Sequence, residues 1–172
     1  MKNWHLLYCK RGQIARAIEH LERQQVICFT PMVTIEKLIR NKRTLVTEPL
    51  FPNYLFIQFD PEVIHTTTIN STRGVNAFVR FGRYPVTVPQ EVIDTLQSPS
   101  PSSVIYSEEN VPHSGDYVLI TEGVFQGIKA IYQEPDGETR SILLLKILNN
   151  EVKKSVDNKE FKKSLSKKLT QP

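Results

Sequence analysis

Cysteine is nearly absent: Cys9 and Cys28 are the only two in 172 residues. Two thiols with no His/Cys cluster around them make neither a disulfide scaffold nor a metal site, so both are expected to be reduced cytosolic thiols and no metal is expected. Long apolar runs are missing too, and no window approaches the roughly 18 residues that a membrane span needs. The opening MKNWHLLYCKRG holds only a short apolar run broken by Cys9-Lys10-Arg11; it is predicted to be a first strand and not a signal peptide. The expectation is therefore a cytoplasmic protein. The glycines form neither a phosphate loop nor a dinucleotide fingerprint. His5, His20, His65 and His113 have no paired carboxylate or cysteine at useful spacing, so no enzyme and no cofactor are expected.

What is present is uneven charge and a dense aromatic stretch. Residues 1–100 hold 12 Lys and Arg against 8 Asp and Glu, whereas residues 101–172 hold 10 of each. The basic excess concentrates between Lys10 and Arg43, which points to an anionic partner for the first half. The aromatic stretch is Glu48 to Asp60, EPLFPNYLFIQFD. Pro49 and Pro52 confine the expected strand to Tyr54–Phe59, since proline brings no N–H to a ladder. Period-two alternation puts Leu55, Ile57 and Phe59 on one face, the better core set, and Tyr54 and Phe56 on the other. Two large aromatics on that second face call for cover, either a further helical layer of the same domain or a docking partner.

In chain order, Trp4–Cys9 is predicted as a strand and Gln13–Gln25 as a helix. Ile14, Ala17, Ile18 and Leu21 form its inner stripe, and Gln13, Arg16, His20, Arg23 and Gln24 its polar side. Glu19 and Glu22 are expected to lie off the Arg16-His20-Arg23 line. Val26–Thr34 reads as strand around Pro31, and Ile35–Val46 follows with an exposed tip at Asn41-Lys42-Arg43. Asp60 and Pro61 predict the start of a short helix through Ile69. A polar turn at Thr72-Arg73-Gly74 leads into a strand over Val75–Phe81. A helix follows over Gln90–Gln97, with Val92, Ile93 and Leu96 inward. Residues 1–98 thus form an α/β sandwich on a mainly antiparallel sheet. The SPSPSS composition shift marks a flexible linker at 99–114, a second unit covers 115–165, and residues 166–172 are a basic tail.

The second unit supports two incompatible folds. Gly123, Gly127 and Pro135-Asp136-Gly137 punctuate it as a five-segment meander that could close into a small barrel. Leu144, Leu148, Val152 and Val156 recur every four residues, with Leu145 and Ile147 widening the stripe, as in a helix. A pair of helices here would expose an apolar stripe on each, and the Tyr54/Phe56 face offers the surface to bury them. Such a conflict is expected where two packings differ by only a few kcal/mol.

Trp4-x-x-x-Tyr8, the basic helix after Gly12, and PLFPNYLFIQFD followed by TRGVNAFVRFG resemble the N-terminal domain of the NusG family of transcription elongation factors. Gly115-Asp116-x-Val118-x-Ile120-x-x-Gly123-x-Phe125-x-Gly127 resembles the start of that family's C-terminal KOW barrel. YCKRGQ, HTTTIN and TEGVFQGIKAIYQEPDGE resemble a specialised, operon-specific antitermination paralogue within the family. The resemblance implies an α+β protein, an N-terminal α/β sandwich plus a small KOW domain. That domain would be a helical hairpin while autoinhibited and a five-stranded β-barrel when released. It implies clamp contacts on the RNA polymerase β′ subunit at Tyr8, Tyr54, Phe56 and Phe81, and β-subunit gate-loop contact at His65, Thr66 and Thr67. It further implies recognition of the non-template DNA strand of an ops-type element by Lys10, Arg11, Gln13, Arg16, His20, Arg23, Thr72 and Arg73. Ile120, Phe125 and Tyr132 would cover the aromatic face, and Glu48 and Arg140 would form an interdomain ion pair. The released barrel would recruit a small-subunit ribosomal protein, and the factor would be a monomer of the bacterial cytoplasm. A general elongation factor, or an RNA- or ribosome-binding module without DNA recruitment, is the alternative.

Overall fold

The computed structural model describes residues 2–97, 104–105, 124–151 and 153. The strand β1, Asn3–Cys9, sits at the centre of an antiparallel sheet. On one side it pairs with β5, Tyr54–Phe59, in the register Asn3 to Phe59 through Tyr8 to Tyr54, and β2, Ile27–Phe29, lies beyond β5. On the other side it pairs with β6, Val75–Phe78, and with the short β7, Thr87–Val88. A second sheet is built from the hairpin of β3, Met32–Ile39, and β4, Lys42–Pro49.

Alternation along β1 and β5 divides the apolar side chains between two cores. Leu7, Cys9, Leu55, Ile57 and Phe59 meet Ala17 and Leu21 of α1, Ile14–Arg23, and Ile69 of α2, Thr66–Asn70. Trp4, Leu6 and Phe56 face the opposite way, toward Val92, Ile93 and Leu96 of α3, Gln90–Gln97. Two further helices complete that second face: α4, Val124–Gln133, and α5, residues 137–151. Ile128, Ile131, Leu144, Ile147 and Leu148 bury into the same core as Phe56.

Several local expectations change. Pro31 splits the expected Val26–Thr34 strand, because a residue without an N–H cannot continue a ladder; β2 stops at Phe29 and β3 starts in another sheet. The hairpin turns at Arg40-Asn41, one residue before the expected tip, with both residues at positive φ (50° and 63°), as a two-residue hairpin connection requires. Pro49 does not exclude a strand before it, since it closes the end of β4 opposite Met32. The helix expected from Pro61 begins only at Thr66: Asp60 caps a separate turn through Glu62 N–H, and the Nδ1 of His65 accepts the N–H of Thr67 at 3.2 Å as the true N-cap. The strand expected through Phe81 ends at Phe78, and Arg80 and Pro85 form an isolated bridge beyond it. Within the expected linker, Val104–Ile105 form a strand, β8, parallel to β3, as two β-branched residues beside an open sheet edge favour. In the second unit residues 124–133 and 137–151 are helical: Lys129–Gln133 and Arg140–Ile147, strands in the barrel reading, lie in α4 and α5. The Pro-Asp-Gly signal serves here as a helix start, with Asp136 Oδ2 accepting both the N–H and the hydroxyl of Thr139 at 3.1 and 2.7 Å.

Candidate functional site

The Tyr54/Phe56 face is covered from two sources. Phe56 is 0% exposed, packed against Phe29 and Phe51 at 5.9 and 6.1 Å between ring centroids, the first tilted and the second edge-on. Residues of the first domain supply part of its core, and α4 and α5 supply the rest. Tyr54 remains half-buried, its ring 5.1 Å from that of Tyr8, which is 39% exposed. Tyr8 and Tyr54 border an open groove of about 520 Å³ whose other wall is Asp136 and the start of α5, including Gly137 and Ser141. Phe81 is half-buried and packs on the same core, so the four aromatic residues converge on one side of the sheet. Of the three residues expected to cover them, Tyr132 packs on this core, whereas Ile120 and the Phe125 side chain lie outside the described residues.

The expected Glu48–Arg140 pair is formed, at 2.9 Å. Arg140 is completely buried, and all of its donor capacity is used. Its Nε donates to Leu50 O at 2.8 Å, Nη1 to the carbonyls of Glu134 and Pro135, and Nη2 to Glu48 Oε1 and Pro49 O. A guanidinium has five N–H groups and here meets five acceptors, which is what allows a charge to be buried at all. Glu48 also accepts from Lys37 Nζ at 2.8 Å. Burial pushes the Glu48 carboxyl up, but the hydrogen bonds and charges of Lys37 and Arg140 outweigh it and hold the group below its ordinary value. The carbonyls of Leu50, Glu134 and Pro135, and Lys37, carried no signal in the sequence; their roles follow from where the β3–β4 hairpin ends.

Two glycines let the helices approach this closely. A Cβ at Gly127 would lie 2.6 Å from both Cγ1 and Cδ1 of Ile147, and one at Gly137 would lie 2.7 Å from Pro52 Cγ. Gly127 therefore brings α4 onto α5, and Gly137 brings α5 onto the first domain.

The basic residues divide. Lys10, Arg11, Arg16 and Arg73 are exposed. Gly74, at φ 87°, lies against Gln13 O and Ala17 of α1, so Arg73 is held beside the N-terminal turn of that helix. Gln13 and His20 are half-buried. Arg23 is not a free cation, because Glu19 one turn back pairs with it at 2.7 Å; Glu19 does reach the line from which it was expected to be absent. Thr72 is 8% exposed and accepts from Gln24 Nε2 while donating to Thr68 O, so it ties α1 to α2 and does not face solvent. On the neighbouring turn His65 and Thr67 are exposed and Thr66 half-exposed, with Thr67 Oγ1 2.6 Å from His65 Nδ1.

The sequence profile of a family described as transcription termination factor nusG matches residues 2–97, more than half of the chain. The chain belongs to the NusG family. Two transcription termination/antitermination proteins NusG from strains of Helicobacter pylori are each 25% identical to it. One alignment covers 91% of this chain and 100% of the relative, the other 84% and 88%. A solved structure concerning domain interaction in Thermotoga maritima NusG aligns at 20% identity and a TM-score of 0.35, covering 54% of each chain. NusG-family proteins are non-catalytic, and their general role is in transcription elongation and antitermination through interaction with RNA polymerase. Among the described residues, no helix is long and apolar enough to cross a membrane.

Proposed function

We propose that this NusG-family protein docks on RNA polymerase through the face carrying Tyr8, Tyr54, Phe56 and Phe81 and favours the elongating enzyme. The β′ clamp helices would take the aromatic face, and His65, Thr66 and Thr67 would reach the β gate loop. No covalent step is required: a factor that binds the closed clamp better than the open one shifts the enzyme toward the closed state and suppresses pausing and termination. The observation that carries this reading is the convergence of four aromatic side chains on one side of a sheet whose sequence matches the family. Crosslinking to purified elongation complexes tests it. Phe56 is so deeply buried that Phe56→Asp would disturb the domain itself, so the informative pair is Tyr8→Asp with Tyr54→Asp. Loss of crosslinking with an intact far-ultraviolet spectrum is expected. Unchanged crosslinking would return the protein to a ribosome- or RNA-binding module.

A second, finer reading is supported by the helices α4 and α5. In it the chain is a specialised antiterminator of the RfaH type, with the unit at 115–165 joined by the linker at 99–114 to the domain at 1–98 and followed by the tail at 166–172. The helices keep the polymerase face closed at rest. Recruitment by the ops-type non-template DNA strand, through Lys10, Arg11, Gln13, Arg16, His20, Arg23 and Arg73, precedes release. The freed unit refolds as a KOW barrel that recruits a small-subunit ribosomal protein. The half-burial of Gln13 and His20, the Arg23–Glu19 pair and the buried Thr72 leave Lys10, Arg11, Arg16 and Arg73 as the strongest phosphate contacts of that set. The same crosslinking separates the readings: dependence on the displaced strand belongs to the specialised factor, and its absence to a general NusG-like elongation factor.

A further inference from the structure

The β6–β7 connection carries cations and an aromatic ring that neither the fold nor the polymerase face uses. Residues 79–86 form a protruding hairpin, closed by Val86 N–H to Val79 O at 2.9 Å and by the Arg80–Pro85 bridge. Its inward residues Val79, Phe81 and Val86 pack on the Phe56 core, and its outward residues are Arg80, Arg83 and Tyr84. Tyr84 is 75% exposed. Arg80 Nη1 donates to Arg83 O at 2.9 Å, which stiffens the tip. Neither arginine has a carboxylate at ion-pair distance among the described residues.

The tip is also in line with the basic surface at α1. The register slips between Tyr8 and Cys9, so β6 carries an unopposed residue at Asn76, and both Val75 and Phe78 face the α1 side of the sheet. Alternation from Phe78 then sends Val79 to the other core and returns Arg80 to the α1 side. β6 and β7 are the strands on that side of β1, so the outer edge runs from Arg73 beside α1, past exposed Asn76, to Arg80. From Val75 to Arg80 is about 17 Å of extended chain.

We propose that Arg80, Arg83 and Tyr84 form a second contact for single-stranded nucleic acid, with the guanidinium groups on phosphates and the Tyr84 ring stacked on one unpaired base. Three exposed side chains are too few for a protein interface, which needs about 800 Å² on each partner. They match the combination of cations and an aromatic platform that holds single strands, and stacking requires a base outside a duplex. The inference extends the DNA reading given above but stands on its own residues.

The test uses the full chain and strands of about 4 and about 12 nucleotides, as DNA and as RNA of the same sequence, titrated across salt. In the double variant Arg83→Ala, Tyr84→Ser, affinity for the longer strand should fall about tenfold or more while the shorter strand is unaffected. In Arg80→Ala, Arg83→Ala the salt slope for the longer strand should shallow by about 1.4, from 0.7 per phosphate contact on a single strand. The nucleic acid that shows the loss identifies the source, and a loss with neither overturns the proposal. Weaker polymerase binding with unchanged strand affinity also overturns it, assigning the tip to a protein contact. Arg16→Ala serves as the independent arm: if it has no effect while the tip variants still weaken the longer strand, the α1 reading fails and the tip stands.

Discussion

Gly127→Ala should loosen the helical pair in the intact protein even though it improves the helix. Alanine gains about 1 kcal/mol of intrinsic helix preference over glycine. Against that gain, the new methyl carbon would sit 2.6 Å from two carbons of Ile147, where ordinary carbon contacts are about 3.5–4.0 Å. Cδ1 could swing aside, but Cγ1 hangs directly on a β-branched carbon whose χ1 is nearly fixed in a helix. The helices must therefore separate by about 1 Å, and overpacking of this kind costs about 1–3 kcal/mol. The net expectation is a loss of up to about 2 kcal/mol. Native-state hydrogen exchange of the amides at 128–133 and 140–148 in the full chain would report it as faster exchange. Ile147→Ala removes both clashing carbons, so Gly127→Ala should be tolerated in that background and a double-mutant cycle should give a coupling of about 1–3 kcal/mol. Slower exchange in Gly127→Ala, with no coupling to Ile147, would refute the close packing of α4 on α5.

Three further outcomes follow from the same contacts. Glu48→Ser leaves a buried guanidinium with four carbonyls and no counter-charge; breaking a buried pair costs about 3–5 kcal/mol, so the circular dichroism and amide shifts of 124–151 should change. Because the Glu48 carboxyl is held below its ordinary value of 4.5, the stability it supplies is intact above that pH and lost as pH falls through the depressed value; acid should loosen α5 in the wild type and much less in Glu48→Gln. His5 is buried between the rings of Phe59 and Phe78, and burial lowers its pKa despite the hydrogen bond from Nδ1–H to Val86 O, with no partner for Nε2 among the described residues. The unfolded chain takes up a proton below about 6.5 that the folded one refuses, so stability measured by denaturant should decline as pH drops from 6.5 toward the depressed value, a decline that His5→Leu should abolish. Burial pushes the Cys9 and Cys28 thiols up to about 11 and about 12, so neither should label with a thiol reagent at pH 8 until the protein unfolds, and rapid native labelling would contradict their placement.

The first domain was legible where local rules and tertiary demands agree. Leu55, Ile57 and Phe59 faced the core that period-two alternation assigns them, and α3 kept the bounds predicted from its apolar spacing. Errors fell where a backbone group had two suitors. Asp60 could cap a helix or a turn, and the sequence cannot say that His65, five residues on, has a ring nitrogen better placed for Thr67 N–H. Thr72 and Arg23 belonged to a plausible basic surface by type, yet a hydrogen bond from Gln24 and a carboxylate one turn away took them out of it. Partners of that kind are set by the docking of α1 on α2 and by side-chain reach, neither of which is encoded at the residue itself.

The second unit presents a different problem. Its glycines and its Pro-Asp-Gly segment punctuate strands, and its leucines repeat like a helix; in the structure the helical signal prevails over 124–133 and 137–151. Gly127 shows how. In a strand reading it brackets a loop, but against α5 it is the one residue small enough to admit Ile147. Gly137 does the same against Pro52, a residue of the first domain. Arg140 completes the set, because four of its five acceptors are main-chain carbonyls and two of those, Leu50 and Pro49, also belong to the first domain. Helix α5 thus depends on groups the isolated unit does not possess. Separated from residues 48–52, it would keep an arginine without three of its five acceptors and an apolar stripe without its cover, while the strand signals lose nothing. The prediction is that the helical state depends on this interface and not on the segment alone. The decisive measurement is the secondary structure of residues 115–165 expressed alone: a stable helical pair there, with no first domain to supply Leu50 O and Glu48, would overturn this account.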